Sequence, residues 1–589
     1  MKSLTEKKHL RLLAEAVTLI TCQVLSLIIG PPHFGWLVFL AIFLWLGMRI
    51  PQSNIADSAT PTWLARQQWK IVLVLVIFSF ALRLTGLNFG LPSGLHPDEG
   101  RKVRIAQRMI RSQDYNPHYF LHPSFTLYGM TFLGEAYKSI TGQRLGKEGA
   151  PVKLRYLGRL LSCVLGSLSV ALLFFLGKEL FSAQIGLLAA SLLAVLPLHV
   201  VCSRYVKEDA SLVFFILLSL LTILIGQRRK NTAIYLLGCL FAGFAMSAKY
   251  TGVLSALFIV IPLAGLIYQA LRAGNYAIFT QHFATVNLLI GSVACGTVAL
   301  GFLLITPYAL LDFEGFLQGF GAEQRHMTRG HNGAILPGDW FWMYHLQRSI
   351  FQGMTPLTMS IALLGCGFLL KRRNFQDLIV ITAILLFYLP AEWVRAKPEP
   401  QPDRYILPCL PFLALAGAVV ITNLSNLLQQ QYPRLKLILV TLFVGSAALY
   451  SVPHTFSILE DTRIQAKHWI ETNIAKQTLI LVDANVYAPP IRRKNYPVIS
   501  ALGDSRFSIL PTATALQDTG AKYLVVSSFF YDRFVKNPEK HSGLGKLYGW
   551  VFKNLQPVKV FSKPRYSYGF HNPTIRIYEI RPSASGISS

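Results

Sequence analysis

Charged side chains are scarce in this 589-residue chain: Asp, Glu, Lys and Arg make up 14% of it, where a soluble domain carries about 25%. With 52% hydrophobic residues and a mean hydropathy of +0.43, that scarcity argues against a cytosolic globular protein. Acidic residues are the scarcer sign, 28 against 56 Lys and Arg, for a formal charge of +28. Such an excess can mark a nucleic-acid binder. Here there is no basic tail or nucleic-acid motif, and the cations sit mainly between apolar segments, where anionic lipid head groups are the expected partner. The few cysteines (Cys22, Cys163, Cys202, Cys239, Cys295, Cys366 and Cys409) lie in or beside apolar segments as lipid-facing or core residues. No CxxC or Cys/His spacing points to zinc or a disulfide framework. Also missing are a dinucleotide fingerprint, an Asp-x-Asp motif, HExxH and a Walker loop, which Gly543-Leu544-Gly545-Lys546 does not match. These absences disfavour a soluble nucleotide-using enzyme.

What is present is apolar and segmented. Stretches of bilayer-crossing length fall at 13–30, 34–49, 70–87, 156–176, 184–201, 209–226, 232–248, 251–270, 283–306, 354–370, 376–394, 404–421 and 435–452. They predict about thirteen transmembrane helices, give or take one or two. The first follows Lys2, Lys7, Lys8 and Arg11 as a signal peptide would, but lacks a small-residue cleavage site and is expected to be retained. Arg228-Arg229-Lys230 and Lys371-Arg372-Arg373 form short basic loops expected on the cytoplasmic side with the N-terminus. The loop at 88–155, the turn at 202–208, the loop at 307–353 and everything after 453 then share the outer side. This outer side is basic as well, so charge alone constrains the orientation only moderately.

The tail changes character. Ile464, Trp469 and Ile470 recur at helical spacing within Arg463–Asn473. Strand-like runs follow at Thr478–Val482, Lys522–Ser527 and Thr574–Ile580. The expected organisation is an N-terminal transmembrane hairpin and cytoplasmic linker (1–69), a transmembrane catalytic domain (70–452) and a small extracytoplasmic α/β domain (453–589).

Polar residues at the helix junctions are the candidates for chemistry. In Leu95-His96-Pro97-Asp98-Glu99-Gly100, two adjacent carboxylates follow an apolar helix and could supply a general base or bind a cation. The alternative is a capping pair at the start of a helix over 100–113, whose N-terminal end favours negative charge. Arg101, Lys102, Arg104, Arg108 and Arg111 alternate there with Val103, Ile105, Ala106, Met109 and Ile110. That pattern predicts a basic amphipathic helix in the head-group region, either a surface anchor or a phosphate binder. Tyr119-Phe120-Leu121-His122-Pro123 opens a second interrupted apolar stretch. Ser203-Arg204-Tyr205-Val206-Lys207-Glu208-Asp209 forms a second acidic turn, a polar cap or a second carboxylate site. Lys249-Tyr250 and Arg404-Tyr405 mark two more outer junctions, where the cation either snorkels or neutralises a phosphate. His326, His331 and His345 are too scattered to argue for a metal.

Taken in order, His96-Pro97-Asp98-Glu99, His122-Pro123, Ser203-Arg204-Tyr205 with Asp209, Ala248-Lys249-Tyr250, and Arg404-Tyr405-Ile406-Leu407-Pro408 with Pro411 form a pattern. It resembles the GT-C superfamily of membrane glycosyltransferases, in the branch of protein O-mannosyltransferases and aminoarabinose transferases to lipid A. The resemblance covers roughly 70–450 and leaves out the hairpin at 13–49 and the tail. It implies an α-helical polytopic membrane protein of GT-C type; the amphipathic helices of the first large outer loop and the C-terminal α/β domain are read from the residues themselves. It also implies an inverting transfer of a sugar from a polyprenyl-phosphate donor to an acceptor hydroxyl on a protein, lipid or glycan. Asp98 would be the base, Glu99 would orient it or the acceptor, and Asp209 would assist positioning. Lys249, and after it Arg204 and Arg404, would hold the leaving phosphate, with His96, His122, Tyr250 and Tyr405 among the substrate-binding residues. A divalent metal is possible in this superfamily but is not indicated by these motifs, and no other cofactor is implied. The expected location is the inner (plasma) membrane, with the site and tail facing the periplasm or exterior. A transporter or flippase for a lipid-linked saccharide is the main alternative, and a scaffold binding a partner through its tail is a third.

Overall fold

Apolar runs bounded by a capping side chain on one side and basic or small residues on the other dictate most of this fold. Asn231 accepts the Ile234 N–H at 3.0 Å and starts the helix Thr232–Ala248. Asn374 and Asp377 form a reciprocal capping box at the head of Phe375–Trp393. The computed structural model describes residues 32–53, 62–143, 145, 149–274, 285–329, 341–394, 402–428, 434–501, 516, 518–535 and 542–580. The expected segment at 13–30 lies outside them.

Among the described residues seven helices are long and apolar enough to cross a membrane: Arg66–Leu84, Ala150–Leu180, Asp209–Arg228, Tyr250–Ala273, Phe375–Trp393, Asp403–Leu428 and Leu437–Asn473. An eighth is a pair, His345–Met354 and Pro356–Arg372, bent by 115°. The break falls at Thr355, whose φ of 74° precedes Pro356. Shorter apolar helices occupy Gly35–Arg49, Ala183–Val195, Thr232–Ala248 and Ile290–Ile305. Every expected apolar segment other than 13–30 therefore falls on an apolar helix, although several are shorter than a full crossing. The chain is a multi-pass membrane protein. Leu73, Val74 and Ile77 stand exposed on Arg66–Leu84, as a surface meeting lipid requires. Ala183–Val195 is instead buried along nearly its whole length. Close helix crossings use small residues: a Cβ at Gly367 would lie 2.0 Å from the Leu44 carbonyl oxygen, where Pro356–Arg372 crosses Pro32–Arg49.

The loop at 88–155 is structured. Its basic helix Glu99–Ser112 buries Val103, Ala106, Met109 and Ile110 against Phe125–Thr141 and Ala150–Leu180. Protein, not lipid, covers its apolar face.

In the tail, β1 (Ile480–Val482), β2 (Val498–Ser500), β3 (Tyr523–Ser527), β4 (Pro557–Phe561) and β5 (Ile575–Glu579) form one sheet in the order β2-β1-β3-β5-β4. The first three are parallel, and β5 pairs antiparallel with both β3 and β4. β1, β3, β5 and the helix Thr462–Asn473 coincide with the expected elements, while β2 and β4 went unread. β2 has only three residues, and β4 is an exposed edge carrying Pro557 and Lys559. Position 453 falls inside the helix Leu435–Ser457, so the sheet is joined to the bundle by a continuing helix.

Candidate active site

Asp98 sits at the head of Glu99–Ser112 but does not cap it, since its side chain bonds no helix amide. Its Oδ2 instead accepts from Lys207 Nζ at 2.9 Å and from Arg404 Nη1 at 3.4 Å. The start of the apolar helix Asp209–Arg228 places Asp209 beside this pair. There it accepts from Lys249 Nζ at 2.7 Å, with Arg404 Nε 4.0 Å from its other oxygen. Glu208 pairs with Lys102 and lies 3.6 Å from Lys207. The result is one chain of ion pairs, Lys102–Glu208–Lys207–Asp98–Arg404–Asp209–Lys249, gathered from four separate segments. It holds four cations against three carboxylates.

The chain borders a cavity of about 490 Å³, lined among others by Asp98, Lys207, Arg404, His122, Glu323 and Tyr487. These residues come from the first loop, the turn near 205, the loop after 307, the junction at 404 and the tail. Alternation along the sequence had put these segments on one side, and they meet here.

Electrostatics differ from group to group. Burial alone would raise the Asp98 carboxyl, but Lys207 and Arg404 outweigh it and hold the group well below the usual carboxylate range. Glu208 is held low in the same way, chiefly by Lys102. Burial lowers Lys102 to about 8 despite Glu208. Lys207 is pushed down by burial and by Arg404, yet Asp98, Glu208 and Asp209 carry it above its usual range. Burial lowers His122 to about 3, so its ring is neutral and can serve as a hydrogen-bonding wall. Burial raises Glu323 against the pull of His326 and Lys249.

The expected residues divide in two. Asp98, His122, Arg404 and Tyr405 line the cavity, and Asp209 and Lys249 join it through Arg404, with Lys249 Nζ 5.0 Å from the Tyr405 ring centroid. Glu99 does not face it. Fully buried, Glu99 receives Arg159 Nε and Nη2 at 2.9 and 2.7 Å and the Val206 N–H at 3.0 Å. Arg204 is also turned away: its guanidinium caps the end of the Thr62–Leu84 helix at the Leu82 carbonyl, 2.5 Å away, and donates to Thr455 Oγ1 at 2.6 Å. His96 is wedged between the Tyr205 and Phe570 rings at 4.4 and 4.5 Å and accepts the Asp98 N–H, which fixes the loop but leaves the ring outside the large cavity. Tyr250 donates its hydroxyl to the Phe120 carbonyl at 2.8 Å. For these four the structure gives bracing contacts; substrate contacts were expected of His96, Arg204 and Tyr250, and of Glu99 a role in orienting Asp98 or the acceptor.

Sequence reasoning did not single out Lys102, Lys207, Glu208 or Glu323 as site residues. Two signals were there. Lys207-Glu208-Asp209 is three charges in a row at the mouth of an apolar helix. Lys102 falls on the same stripe as Val103, Ala106 and Met109 and is buried with them, although an unpaired buried ammonium is costly.

A search of curated proteins finds no match to the chain. The family comparison is positive. Residues 155–307 match the family model of dolichyl-phosphate-mannose-protein mannosyltransferases. That stretch carries Lys207, Asp209 and Lys249, and it bears out the resemblance to GT-C membrane glycosyltransferases. Similar solved structures include ArnT from Cupriavidus metallidurans bound to undecaprenyl phosphate, at 15% identity over 90% of this chain and 100% of that one, with a TM-score of 0.47. Another is the oligosaccharyltransferase AglB from Archaeoglobus fulgidus in complex with an inhibitory peptide and a dolichol-phosphate, at 14% identity over 90% of this chain and 75% of that one, TM-score 0.49. Likeness at this level carries no weight for the site. Among the described residues no three His, Cys, Asp or Glu side chains gather as a metal site. His345 lies apart, held by Ser349 and the Ala391 carbonyl, and His331 lies outside the described residues.

Proposed function

We propose that this protein is an outward-facing glycosyltransferase that moves a sugar from a polyprenyl-phosphate donor to an acceptor hydroxyl, with inversion. The observation that carries the reading is the arrangement at Asp98. Both cations approach Oδ2, so among the described residues Oδ1 has no protein partner on the border of a 490 Å³ cavity.

An acceptor hydroxyl bound there attacks the anomeric carbon. Its oxygen forms the new C–O bond, its proton passes to Asp98, and the bond to the phosphate oxygen breaks with the electron pair leaving on the phosphate. Lys207, Arg404 and Lys249 supply positive charge where that phosphate develops negative charge, a large term in a site shielded from water. Asp209 keeps Lys249 and Arg404 in place. An aspartate held this low is ionised but weakly basic. Arrival of the donor phosphate competes for Lys207 and Arg404, loosens their hold on Oδ2 and so raises the basicity of Asp98 when it is needed. The excess of one cation in the chain of ion pairs suits an incoming anion.

A transporter is the weaker reading, because the charges cluster at helix ends instead of the bilayer midplane. Incubation of the purified protein in nanodiscs with a panel of undecaprenyl-phosphate sugars tests the choice. The reading expects free undecaprenyl phosphate and a glycosylated acceptor in equal amounts. Movement of intact lipid-linked sugar across proteoliposomes without covalent transfer contradicts it.

A further inference from the structure

Arg404 is the residue through which Asp98 and Asp209 meet, and its aim depends on a short 3-10 turn, Pro402–Cys409. Its neighbour Asp403 is held from two directions. Ser349 Oγ, on the bent helix beside Thr355, donates to Asp403 Oδ1 at 2.7 Å. Tyr568 Oη, in the tail between β4 and β5, donates to Asp403 Oδ2 at 2.8 Å. Ser349 is fixed in turn by His345 Nδ1 at 2.9 Å, and the His345 N–H donates to Glu392 Oε1 at 2.7 Å. The tail also grips the other side of the site, through its helix Thr462–Asn473. Arg463 Nη1 donates to the Leu95 carbonyl at 2.8 Å and its Nη2 to the Phe570 carbonyl at 2.8 Å, while the Phe570 N–H reaches Tyr205 Oη at 3.0 Å. Leu95 opens the motif that contains Asp98.

We propose that Asp403 is a positioning residue for Arg404, clamped between Ser349 of the membrane bundle and Tyr568 of the tail, and that the tail's role in the reaction is to close this clamp. The inference rests on the glycosyl-transfer reading for what Arg404 does to substrate. The chemistry of the clamp favours positioning over mere stability. A carboxylate with a hydroxyl donor on each oxygen is fixed in rotation, and it fixes the backbone that launches the next side chain. Displacements of about 1 Å cost about 10²-fold in rate. The clamp is also sequence-distant, since residues 349, 403 and 568 lie on three elements with no local reason to meet. Loss of the tail contact alone therefore misaims Arg404 while leaving the bundle's own helices intact.

The test compares Tyr568→Phe, Ser349→Ala and Asp403→Asn with Arg404→Ala, and with Lys559→Ala on the exposed edge of β4 as an unchanged control. Binding of undecaprenyl phosphate and transfer are both measured, in the full-length protein. Tyr568→Phe and Ser349→Ala are expected to lower kcat/KM about 10-fold and Asp403→Asn about 10²-fold. The acid limb of the pH profile should move upward in each, because Arg404 no longer holds the Asp98 carboxyl down. Combined with Arg404→Ala, none of the three should add a further loss. Tyr568→Phe deletes a single hydroxyl, so its result stands even where Asp403→Asn fails to fold. Additive losses in the double variants, or an unmoved acid limb, overturn the clamp while leaving the glycosyl-transfer reading standing. A wild-type protein that neither binds undecaprenyl phosphate nor transfers sugar sinks that reading, and the clamp with it.

Discussion

Asp98 and Glu99 are neighbours in the chain, yet they end in opposite surroundings. Glu99 and Arg159 are both 0% exposed and make a bidentate pair, and Arg159 directs its remaining donors to the Leu87 and Phe89 carbonyls at 2.7 and 2.9 Å. Little is left over to meet a ligand. Asp98 keeps 28% of its side chain exposed and shares its cations with Asp209 and Glu208. A sealed, fully satisfied pair ties the first loop to the bundle, while an open, shared one can exchange partners when an anion arrives. On the proposed reading, what separates a structural from a chemical carboxylate here is whether the cation has anywhere else to go.

Breaking each cluster should give different kinds of loss. The largest effect is expected from Asp98→Asn: transfer falls about 10²–10⁴-fold, while the thermal midpoint barely moves. A variant that melts early yet keeps its specific activity would make Asp98 structural instead. Glu99→Ala should do the reverse, leaving Arg159 buried and unpaired at a cost of about 3–5 kcal/mol, read by denaturation in detergent. If Glu99→Ala stays stable and loses all transfer, the sealed cluster is chemical and the comparison collapses. Lys249→Met removes a charge-assisted hydrogen bond to Asp209 and one of the cations proposed to meet the donor phosphate. Affinity for undecaprenyl phosphate should drop about 10- to 100-fold, in keeping with about 1.5–3 kcal/mol for a bond to a charged group. Calorimetric titration checks this, and unaltered affinity would take Lys249 out of the site. The smallest effect belongs to the opposite end of the bundle, where Arg228 is 62% exposed beside Glu179. Arg228→Ala should change stability by about 0.5 kcal/mol or less, so a large loss there would mean that exposure is the wrong discriminator.

How far the sequence could be read follows from the same distinction. Apolar length placed the described helices, because the cost of burying backbone in lipid leaves few alternatives to a helix. Asp98, Asp209, Lys249 and Arg404 could be singled out because each is a charge at a helix end on one expected side. The direction in which such a charge points could not be read. Arg204 and Glu99 satisfy the same rule but turn inward: the carbonyl end of Thr62–Leu84 and Thr455 draw Arg204 in, and Arg159 on Ala150–Leu180 draws Glu99 in. Lys102 was not singled out for a related reason: nothing local distinguishes it from the other cations of a basic helix unless its partner, here Glu208 at the head of a different helix, is known. The clamp on Asp403 was out of reach because its members lie far apart in the chain and none is charged except Asp403 itself.

The most direct test of the central claim is native mass spectrometry of the wild-type protein and the Asp98→Asn variant, each purified from the same cells. The account predicts a polyprenyl-phosphate sugar retained by the Asp98→Asn variant, and its conversion to bare polyprenyl phosphate in the wild type once acceptor is supplied. Identical lipid content in both, with no conversion by the wild type on any acceptor, would contradict it.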